Sequence, residues 1–269
     1  MDRFNFMLKK IKDAGKILMT GYENLSANGA YFKSSKDIVT EKDIECEKFL
    51  TNEINKNFSD DTILAEESAG DDYAIIKNNK AGLWVIDPVD GTTNYLHGLP
   101  FFAISIAYLE KNEIRCGAVY LPRLDELFFS EKNNGAFLNE KKIKTTKTVE
   151  LVNALGVTGF ACLRADKPDN NLAAFCRLAP KIRGIRRFGA ASADGCYVAC
   201  GRFDFYWEKY LKPWDIMAAA LIVREAGGKI TDYENNPDNL SGNTVLFSNG
   251  ILHDKLLELI PDTINKNLI

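Results

Sequence analysis

The stretch LWVIDPVDGTTN, residues 83–94, decides how the rest of the chain is interpreted. Its apolar start predicts a buried strand that ends at Asp87, and a second carboxylate, Asp90, follows three residues later. Open α/β sheets bind ligands at the carboxyl ends of their strands, so we expect both acids at a ligand site. The Gly-Thr-Thr-Asn that follows can open a helix whose free N–H groups attract an anion. Carboxylates beside an anion cradle suit Mg²⁺ together with a phosphate group.

Three other short segments carry acidic residues: DIVTEKD (residues 37–43), LAEES (64–68) and PWD (213–215), the last running on to EAGG (225–228). In order and spacing, these segments and residues 83–94 resemble the motifs of the inositol monophosphatase family of Mg²⁺-dependent, lithium-sensitive sugar phosphatases. Any one short motif could arise by chance, but four in order make coincidence a poor explanation. The resemblance covers nearly the whole chain.

The composition is that of a folded, soluble protein. The chain has 269 residues, of which 46% are hydrophobic, which is enough for a real core and too apolar for a disordered chain. A net charge of −3 gives no basic excess, so we expect no nucleic-acid partner. The longest apolar stretch, residues 101–109, is broken by Ser105 and is far shorter than the about 20 residues of a membrane span. The N-terminus does not resemble a signal peptide, so we expect a cytoplasmic protein without a membrane partner.

The cysteines and histidines do not form a recognisable metal site. Cys196 and Cys200 are four residues apart and could share a helix face, but no second pair or nearby histidine completes a zinc site. Buried free thiols in a reducing compartment are the preferred interpretation of all six cysteines. His97 and His253 are isolated from each other, and we interpret both as structural or surface residues.

Hydrophobic periodicity predicts helices and strands in both halves of the chain. Apolar residues at helical spacing over residues 4–22 predict a first amphipathic helix, and Thr40 with Asp43 predicts a capped second helix. Strands separated by short polar turns predict an antiparallel meander over residues 103–130. Further strands are expected at residues 62–65, 154–158, 204–207, 229–231 and 245–248, and further helices at residues 170–178, 192–200, 214–226 and 251–259.

Because both halves mix helix and sheet, we expect an α/β, or layered α+β, architecture. The N-terminal half, residues 1–150, carries most candidate metal ligands. The C-terminal half, residues 151–269, carries Asp215 and the residues that select the substrate. We expect the two halves to form one compact unit, and the resemblance implies an αβαβα sandwich with the active site between them.

Hydrolysis of a phosphate monoester suits a site made of carboxylates. The transition state spreads negative charge over the phosphoryl oxygens, and two divalent ions can stabilise that charge and lower the pKa of an attacking water. The resemblance implies that Glu66, Asp87 and the backbone carbonyl of Val89 bind one Mg²⁺. It implies that Asp87, Asp90 and Asp215 bind a second. A third, weaker ion would be held mostly through water near Glu66.

The resemblance also implies catalytic and substrate-binding residues. Asp43 and Thr92 match the pair that orients and deprotonates the attacking water, and Glu66 is counted with them as catalytic. Glu208 matches a position that accepts hydrogen bonds from substrate hydroxyls. Arg186 and Arg187 could steer an anion or be ordinary ion-pair residues, and for Arg187 we prefer the ion-pair interpretation. The residues expected against the substrate and its phosphate are Asp90, Gly91, Thr92, Thr93, Gly189, Ala190, Ala191, Glu208 and Asp215.

Each acid also has a purely structural interpretation. Asp87 can cap a turn, Asp90 and the following glycine form a common turn dipeptide, and Asp43 and Asp215 can cap helices. Because all of them fit one metal-site pattern together, we prefer the metal interpretation.

We therefore expect a phosphatase that uses two to three Mg²⁺ ions and acts on myo-inositol 1-phosphate or a similar small phosphate monoester. The resemblance implies a homodimer. The same scaffold also serves fructose 1,6-bisphosphate, histidinol phosphate and adenosine 3′,5′-bisphosphate, and the sequence separates these substrates poorly. A glycosidase is the alternative enzyme class. It would use two carboxylates on either side of a sugar and would need no cluster of metal-binding acids. A regulatory protein that binds the transcription machinery stays open as the non-enzymatic alternative.

Overall fold

Two large β-sheets and three layers of helices alternate through the described part of the protein. The structure is a computed structural model that describes residues 2–23, 30–32, 38–70, 73–78, 82–237 and 243–260, so that Asp37 of the DIVTEKD motif lies outside it. Its helices are α1 (Arg3–Tyr22), α2 (Glu41–Asn57), α3 (Ile75–Asn78), α4 (Thr92–Leu96), α5 (Ala161–Arg164), α6 (Leu172–Leu178), α7 (Ala191–Ala199), α8 (Pro213–Glu225) and α9 (His253–Leu257). Its strands are β1 (Ala30–Phe32), β2 (Ile38–Thr40), β3 (Thr62–Ala65), β4 (Gly82–Asp90), β5 (Ala103–Glu110), β6 (Glu113–Leu121), β7 (Glu126–Glu131), β8 (Ala136–Leu138), β9 (Lys141–Ile143), β10 (Leu155–Thr158), β11 (Gly184–Arg186), β12 (Phe205–Lys209), β13 (Lys229–Thr231) and β14 (Thr244–Ser248).

Of the two large sheets, the larger has the strand order β3-β4-β5-β6-β7-β8-β9, and the smaller has the order β11-β10-β12-β14-β13. Strands β1 and β2 form a separate antiparallel pair. In the larger sheet β3 and β4 are parallel and the other neighbours are antiparallel. The meander predicted over residues 103–130 is thereby confirmed. In the smaller sheet β10 runs parallel to β11 and β12, and β14 runs antiparallel to β12 and β13.

The helices form layers on both sides of each sheet. Helices α1 and α2 pack on one face of the larger sheet, where Phe6 and Leu50 share an apolar cluster with Trp84. Helices α7 and α8 lie between the two sheets, and α6 and α9 cover the outer face of the smaller one. This order of layers confirms the predicted αβαβα sandwich.

Helix α8 joins the two halves of the chain into one core. The helix is apolar on nearly every side, a pattern typical of a buried helix, and its residues from Ile216 to Val223 are buried. A Cβ on Gly117 of β6 would lie 3.0 Å from the Cα of Ala218, so the glycine allows α8 to approach the larger sheet closely. The apolar cluster around α8 includes strands of both sheets. A division of the chain at residue 150 stays a prediction.

Side-chain hydrogen bonds determine where helices α2, α6 and α9 begin. Thr40 and Asp43 form the predicted capping box of α2. Helix α6 begins at Leu172 instead of residue 170, because the side-chain oxygen of Asn170 accepts a hydrogen bond from the Leu172 N–H at 3.0 Å. Helix α9 is shorter than predicted, because Asn249 caps the preceding turn by accepting from the N–H groups of residues 251 and 252.

All six cysteines are free thiols. Cys46, Cys116, Cys162 and Cys196 are buried as predicted, whereas Cys200 is only half-buried. The prediction is wrong for Cys176, which is exposed because it lies on the outer side of α6. Among the described helices, none combines the length and the apolar character needed to cross a membrane.

His253 is a fully buried structural residue at the start of α9. Its Nε2 lies 2.9 Å from the Thr231 hydroxyl and its Nδ1 lies 2.8 Å from the Ser248 hydroxyl. Burial and the nearby charge of Lys229 lower the pKa of His253 to about 4. The ring is therefore neutral in the folded protein at neutral pH.

This lowered pKa predicts a loss of stability in mild acid. The unfolded chain binds a proton at His253 near pH 6.5 and the folded chain only near pH 4, so the stability present above pH 6.5 falls as the pH drops through this window. We expect His253→Asn to remove about 2 kcal/mol of the difference in unfolding free energy between pH 7.5 and pH 5. Urea unfolding of both proteins at the two pH values measures this difference. An equal pH dependence in both proteins would contradict the assignment.

Candidate active site

A bulge near the end of β4 places the two acids of the central motif on one face of the sheet. Asp87 lies opposite Ser105 and Asp90 lies opposite Ala103, so three steps along β4 match two steps along β5. Residues three apart on a regular strand point to opposite faces, and the extra residue cancels that alternation. Both carboxylates therefore point toward the layer of α7 and α8, while Val89 packs on the side of α1 and α2. The predicted strand end at Asp87 is wrong, because pairing with β5 continues to Asp90.

A single pocket collects the acids predicted as metal ligands. Glu66 follows directly after β3, where its N–H donates to the carbonyl of Ile86 at 3.1 Å. Asp215 lies in the first turn of α8, and its carboxylate accepts from the N–H of Lys212 at 2.7 Å. The residues lining the pocket are Glu66, Asp87, Val89, Asp90, Gly91, Thr92, Thr93, Gly159, Arg164, Arg187, Gly189, Ala191, Glu208, Leu211 and Asp215. Four carboxylates, from β4, α8 and the loop after β3, thus face the same space as Glu208.

One buried hydrogen bond joins the start of α8 to the larger sheet. The hydroxyl of Ser105 donates to the carbonyl of Trp214 at 2.9 Å. Ser105 is also the residue paired with Asp87 across β4 and β5. The contact therefore holds Asp215, the next residue after Trp214, on the same side of the sheet as Asp87.

The acids in this pocket oppose one another's ionisation. Burial, together with the charges of Glu66, Asp90 and Asp215, raises the pKa of Asp87 well above its usual range. A hydrogen bond between Glu66 and Asp87 acts in the same direction, and it requires a proton shared by the two carboxyl groups. Burial and the charge of Asp90 raise the pKa of Asp215 to about 7. A cation would offset this repulsion.

The donor set fits Mg²⁺ in its chemistry. Carboxylate oxygens and a backbone carbonyl are the hard ligands that this ion prefers, and buried carboxylates that repel each other gain from a divalent charge. Among the described residues, however, no three or more His, Cys, Asp or Glu side chains already stand together as a formed metal site. The roles of Glu66, Asp87, Asp90, Asp215 and the Val89 carbonyl as ligands therefore stay predictions.

Asp43 and Thr92 are in contact, as the predicted catalytic pair requires. The Thr92 hydroxyl lies 3.1 Å from Asp43 Oδ1 and 3.0 Å from the carbonyl of Val89. The second oxygen of Asp43 accepts hydrogen bonds from the N–H and the hydroxyl of Thr40, so Asp43 is also the capping residue of α2. Burial raises the pKa of Asp43 to about 6. The structural and the catalytic interpretation of Asp43 therefore use different oxygens of one carboxylate.

Asp90 connects the central motif to the start of α7. Its Oδ1 accepts from the N–H of Ala191 at 3.0 Å, and its Oδ2 accepts from the N–H and the hydroxyl of Ser192 at 2.7 and 2.6 Å. The turn predicted to approach the substrate, residues 189–191, is thereby held against β4. Gly91 adopts a left-handed φ of 90°, and a Cβ there would lie 3.2 Å from both the Ala190 Cβ and the Gly189 carbonyl oxygen. Only glycine fits this position without strain.

Glu208 lies at the end of β12 and faces the pocket, as predicted. Its Oε1 accepts from the N–H of Ala161 at 2.8 Å, and its Oε2 accepts from the hydroxyl of Tyr206 at 2.7 Å. A Cβ on Gly159 would lie 2.0 Å from Oε2, so the glycine makes the room that the carboxylate occupies. Each oxygen keeps a further lone pair for a substrate hydroxyl.

Several residues near the site could not be recognised as site residues from the sequence. Gly159, Arg164 and Leu211 line the pocket, but they belong to no motif, and only the folded chain brings them there. Arg187 also lines it and forms no ion pair with another described residue, so its interpretation as an ordinary ion-pair residue is wrong. Asp194 of α7 is buried, and neither of its carboxylate oxygens has a hydrogen-bond partner among the described residues. Burial and the charge of Asp90 raise the pKa of Asp194 well above its usual range.

Comparison with known proteins gives a consistent result. A family model described as the inositol monophosphatase family matches residues 2–265. A Thermotoga maritima protein named fructose-1,6-bisphosphatase/inositol-1-monophosphatase is 36% identical over 99% of this chain and 98% of its own length. A Neisseria meningitidis protein named putative Nus factor SuhB is also 36% identical, over 95% of this chain and 97% of its own.

Solved structures agree with these sequence relatives. The structure of a Thermotoga maritima IMPase has a TM-score of 0.85 at 36% identity and covers 96% of both chains. That of the extragenic suppressor protein suhB from Bartonella henselae has a TM-score of 0.87 at 35% identity, over 97% of this chain and 98% of its own. The similarity therefore extends over the whole fold and includes both sheets.

Proposed function

The chain belongs to the inositol monophosphatase family, and from that premise we propose that it is a Mg²⁺-dependent phosphatase of myo-inositol 1-phosphate or a similar small phosphate monoester. The observation that carries the proposal is the meeting of Glu66, Asp87, Asp90 and Asp215 in one pocket. Their mutual repulsion, seen in the raised pKa values of Asp87 and Asp215, favours a cation between them. The purely structural interpretation of each acid does not account for this meeting.

The proposed ligand assignment is the one that the resemblance implies, and all of its residues line the pocket. Glu66, Asp87 and the Val89 carbonyl would hold one Mg²⁺, and Asp87, Asp90 and Asp215 would hold a second. A third ion near Glu66 belongs to the same proposal. When bound, Mg²⁺ would neutralise negative charge on the phosphoryl group and lower the pKa of a water molecule.

The residues around the acids position the reacting groups. The Thr92 hydroxyl is hydrogen-bonded to Asp43 Oδ1, so that it can accept from an attacking water while Asp43 takes up the proton. The N–H groups at residues 91–93 would bind the phosphate. Glu208 would accept hydrogen bonds from hydroxyl groups of the alcohol, and the small residues 189–191 would let the ring approach the backbone.

Phosphate release from a panel of substrates tests the proposal. The panel contains myo-inositol 1-phosphate, fructose 1,6-bisphosphate, histidinol phosphate and adenosine 3′,5′-bisphosphate, each with Mg²⁺. Preference for the inositol ester would support the proposed substrate. Preference for another ester would keep the metal mechanism and replace the substrate. Failure on all four by a folded protein would contradict the enzymatic proposal.

Removal of metal is expected to abolish activity without unfolding the protein. EDTA should reduce phosphate release to background, and added Mg²⁺ should restore it. The reason is that the proposed nucleophile is a water molecule activated by Mg²⁺. Mg²⁺ should also raise the melting temperature, because an ion that binds only the folded state stabilises it. NaCl at equal ionic strength is the control. Phosphate release that survives EDTA would contradict the metal-dependent mechanism.

A regulatory role is a second candidate, since the Neisseria relative is named as a putative Nus factor. The two functions can coexist in one chain. Pull-down from a lysate with the wild-type protein and with Asp87→Asn would separate them, because binding of a regulatory partner should survive loss of the metal ligand. The homodimer and the cytoplasmic location stay predictions, and gel filtration with light scattering would test the first of them.

A further inference from the structure

Residues 159–171 form a segment that passes from one face of the smaller sheet to the other. The segment starts directly after β10, includes α5 and ends where α6 begins on the outer face of the sheet. Its first residue, Gly159, lines the pocket. Because β10 runs parallel to β12, the segment leaves the sheet beside the carboxyl end of β12, where Glu208 lies. The segment therefore forms part of the pocket wall next to Glu208.

Glu208 and the next residue, Lys209, contact this segment from opposite faces of the sheet, because neighbouring side chains on a strand point to opposite sides. On the pocket side, Glu208 Oε1 accepts a hydrogen bond from the Ala161 N–H at 2.8 Å. On the outer side, the Lys209 ammonium donates to the carboxylate of Asp169 at 2.5 Å. Two adjacent residues of β12 thus hold the segment near both of its ends.

Lys209 is buried, although a lysine is almost never buried completely unless it is paired. Its side chain is only 4% exposed, whereas the side chain of Asp169 is 52% exposed. The ammonium also lies 5.6 Å from the centre of the Tyr233 ring, which belongs to the apolar cluster of the outer face. Since burial fixes Lys209 and leaves Asp169 in water, the ion pair restrains the segment more than it restrains the strand.

Tyr210 adds a contact to the middle of the segment. Its φ of 63° lies in the left-handed region, which is unfavourable for a bulky side chain. The Tyr210 N–H donates to the carbonyl of Asn243 at 2.9 Å and so supports this conformation. The Lys167 ammonium lies 5.4 Å from the centre of the Tyr210 ring, within the range of a cation–π interaction. Lys209 therefore presents a cation to the segment, and Tyr210 receives one from it.

We propose that Lys209 and Tyr210 are positioning residues, which hold residues 159–171 against the end of β12 and thereby keep Glu208 oriented for hydroxyl groups of the substrate. This inference rests on the proposed phosphatase function and concerns how the alcohol part of the ester is bound. If the segment moved away, Glu208 would lose the hydrogen bond from the Ala161 N–H. The proposed phosphate turn, residues 91–93, follows β4 of the larger sheet, so loosening of the segment should leave phosphate binding unchanged.

Two variants each remove one of the contacts. Lys209→Met replaces the buried ammonium by an apolar side chain of similar length, a kind of change that buried ion pairs often tolerate at little cost in stability. Asp169 stays solvated in this variant, because it is half exposed. Tyr210→Gly removes the ring and relieves the left-handed strain. Tyr210→Phe keeps the ring and is the matched control. Lys16→Met is a second control, since it removes the ammonium of an exposed ion pair on α1.

Amide hydrogen exchange of the metal-free proteins tests the contacts without any substrate. We expect Lys209→Met and Tyr210→Gly to speed exchange at the Ala161 amide by about fivefold, which is the effect of losing one contact of this kind. Amides of β5 are the internal reference, because amides in a core strand exchange mainly through global unfolding. Both controls should exchange at the wild-type rate.

Steady-state kinetics with Mg²⁺ test the effect on the alcohol part of the substrate. On the preferred ester of the substrate panel, Lys209→Met and Tyr210→Gly should raise KM about fivefold and change kcat less than about twofold. The inhibition constant of inorganic phosphate, which reports only the phosphate turn, should also change less than about twofold. A general defect of the fold would instead move all three constants. Tyr210→Phe should restore the wild-type KM.

Unchanged exchange at Ala161 in both variants would overturn the inference, whatever the activity. Faster exchange with an unchanged KM, or with equal changes in KM and the inhibition constant, would also overturn it, because the segment would then not serve the alcohol part. If a folded, Mg²⁺-loaded wild-type protein hydrolyses no ester of the panel, the proposed function fails and the role in substrate binding fails with it. The exchange rates would still show whether Lys209 and Tyr210 hold the segment.

Discussion

Asp87→Asn is expected to lower Mg²⁺-dependent phosphate release by on the order of 10³-fold, and at the same time to raise the melting temperature of the metal-free protein. The loss of activity follows from the assignment of Asp87 to both proposed Mg²⁺ ions. A bound metal ion stabilises the transition state by several kcal/mol, and each 1.4 kcal/mol or so corresponds to a factor of ten in rate.

The gain in stability follows from the repulsion among the acids. The pKa of Asp87 is higher in the folded protein than in the unfolded chain, where it is close to 4. Such a group contributes stability below its unfolded pKa and loses that contribution as the pH rises through the folded value. At pH 8 the carboxyl of Asp87 therefore opposes folding. A neutral amide of the same shape removes this opposition, and we expect a gain of about 1–2 kcal/mol, or roughly 2–8 °C in Tm.

Phosphate release with Mg²⁺ and thermal unfolding in EDTA at pH 8 measure the two effects on one protein. Asp254→Asn is a matched control, because it removes one negative charge from an exposed pair with Lys229 that contributes little to stability. Full turnover by Asp87→Asn would refute the metal assignment. A lower melting temperature in EDTA would refute the argument from repulsion.

Asp90→Ala is expected to abolish activity as well, but to change stability in the opposite direction. Asp90 accepts three hydrogen bonds from the first turn of α7. Its removal deletes the cap of that helix, at a cost of about 1–2 kcal/mol, and leaves buried donors unpaired, at about 1–3 kcal/mol. Relief of the repulsion with Asp215 offsets part of this loss. We expect a net loss of about 2 kcal/mol, which corresponds to roughly 4–8 °C in Tm.

Urea unfolding of the metal-free protein tests this expectation, and Ser192→Ala provides a graded comparison. That variant removes only one of the three donors, the Ser192 hydroxyl, so we expect a loss of about 1 kcal/mol. Wild-type stability for Asp90→Ala would mean that the contact between β4 and α7 contributes nothing to folding. Opposite shifts for Asp87→Asn and Asp90→Ala would separate two acids that belong to the same motif.

Much of the fold could be predicted because local patterns determine it. The capping box at Thr40 and Asp43, the meander over residues 103–130 and the apolar helix α8 are each encoded within a short window of sequence. The candidate acids could be found for a similar reason, since each belongs to a motif of three to twelve residues. The resemblance then supplied the order in which these motifs would come together.

Other parts of the site could not be predicted, because they depend on residues that are distant in the chain. Asp90 and Ala191 are 101 residues apart, and no local pattern indicates their hydrogen bond. The need for glycine at residue 159 is recognisable only in the folded protein, where the Glu208 carboxylate occupies the space that a Cβ would fill. Arg164 and Arg187 are ordinary surface residues until the fold brings them to one pocket. The bulge in β4 was also missed, because proline and valine at residues 88 and 89 do not by themselves reveal an extra residue.

The bulge constrains how the gene for this protein can change. Loss of the bulge at unchanged chain length would turn Asp90 toward α1 and α2, away from Asp87, because residues three apart on a regular strand point to opposite faces. A substitution that flattened the strand in this way would remove a candidate ligand and the cap of α7 together, although no acidic residue had been mutated. We therefore expect changes at residues 88 and 89 to be accepted only where they keep the bulge. Gains and losses of codons should accumulate instead at the β5–β6 turn, at residues 111–112, where the chain reverses direction at the surface.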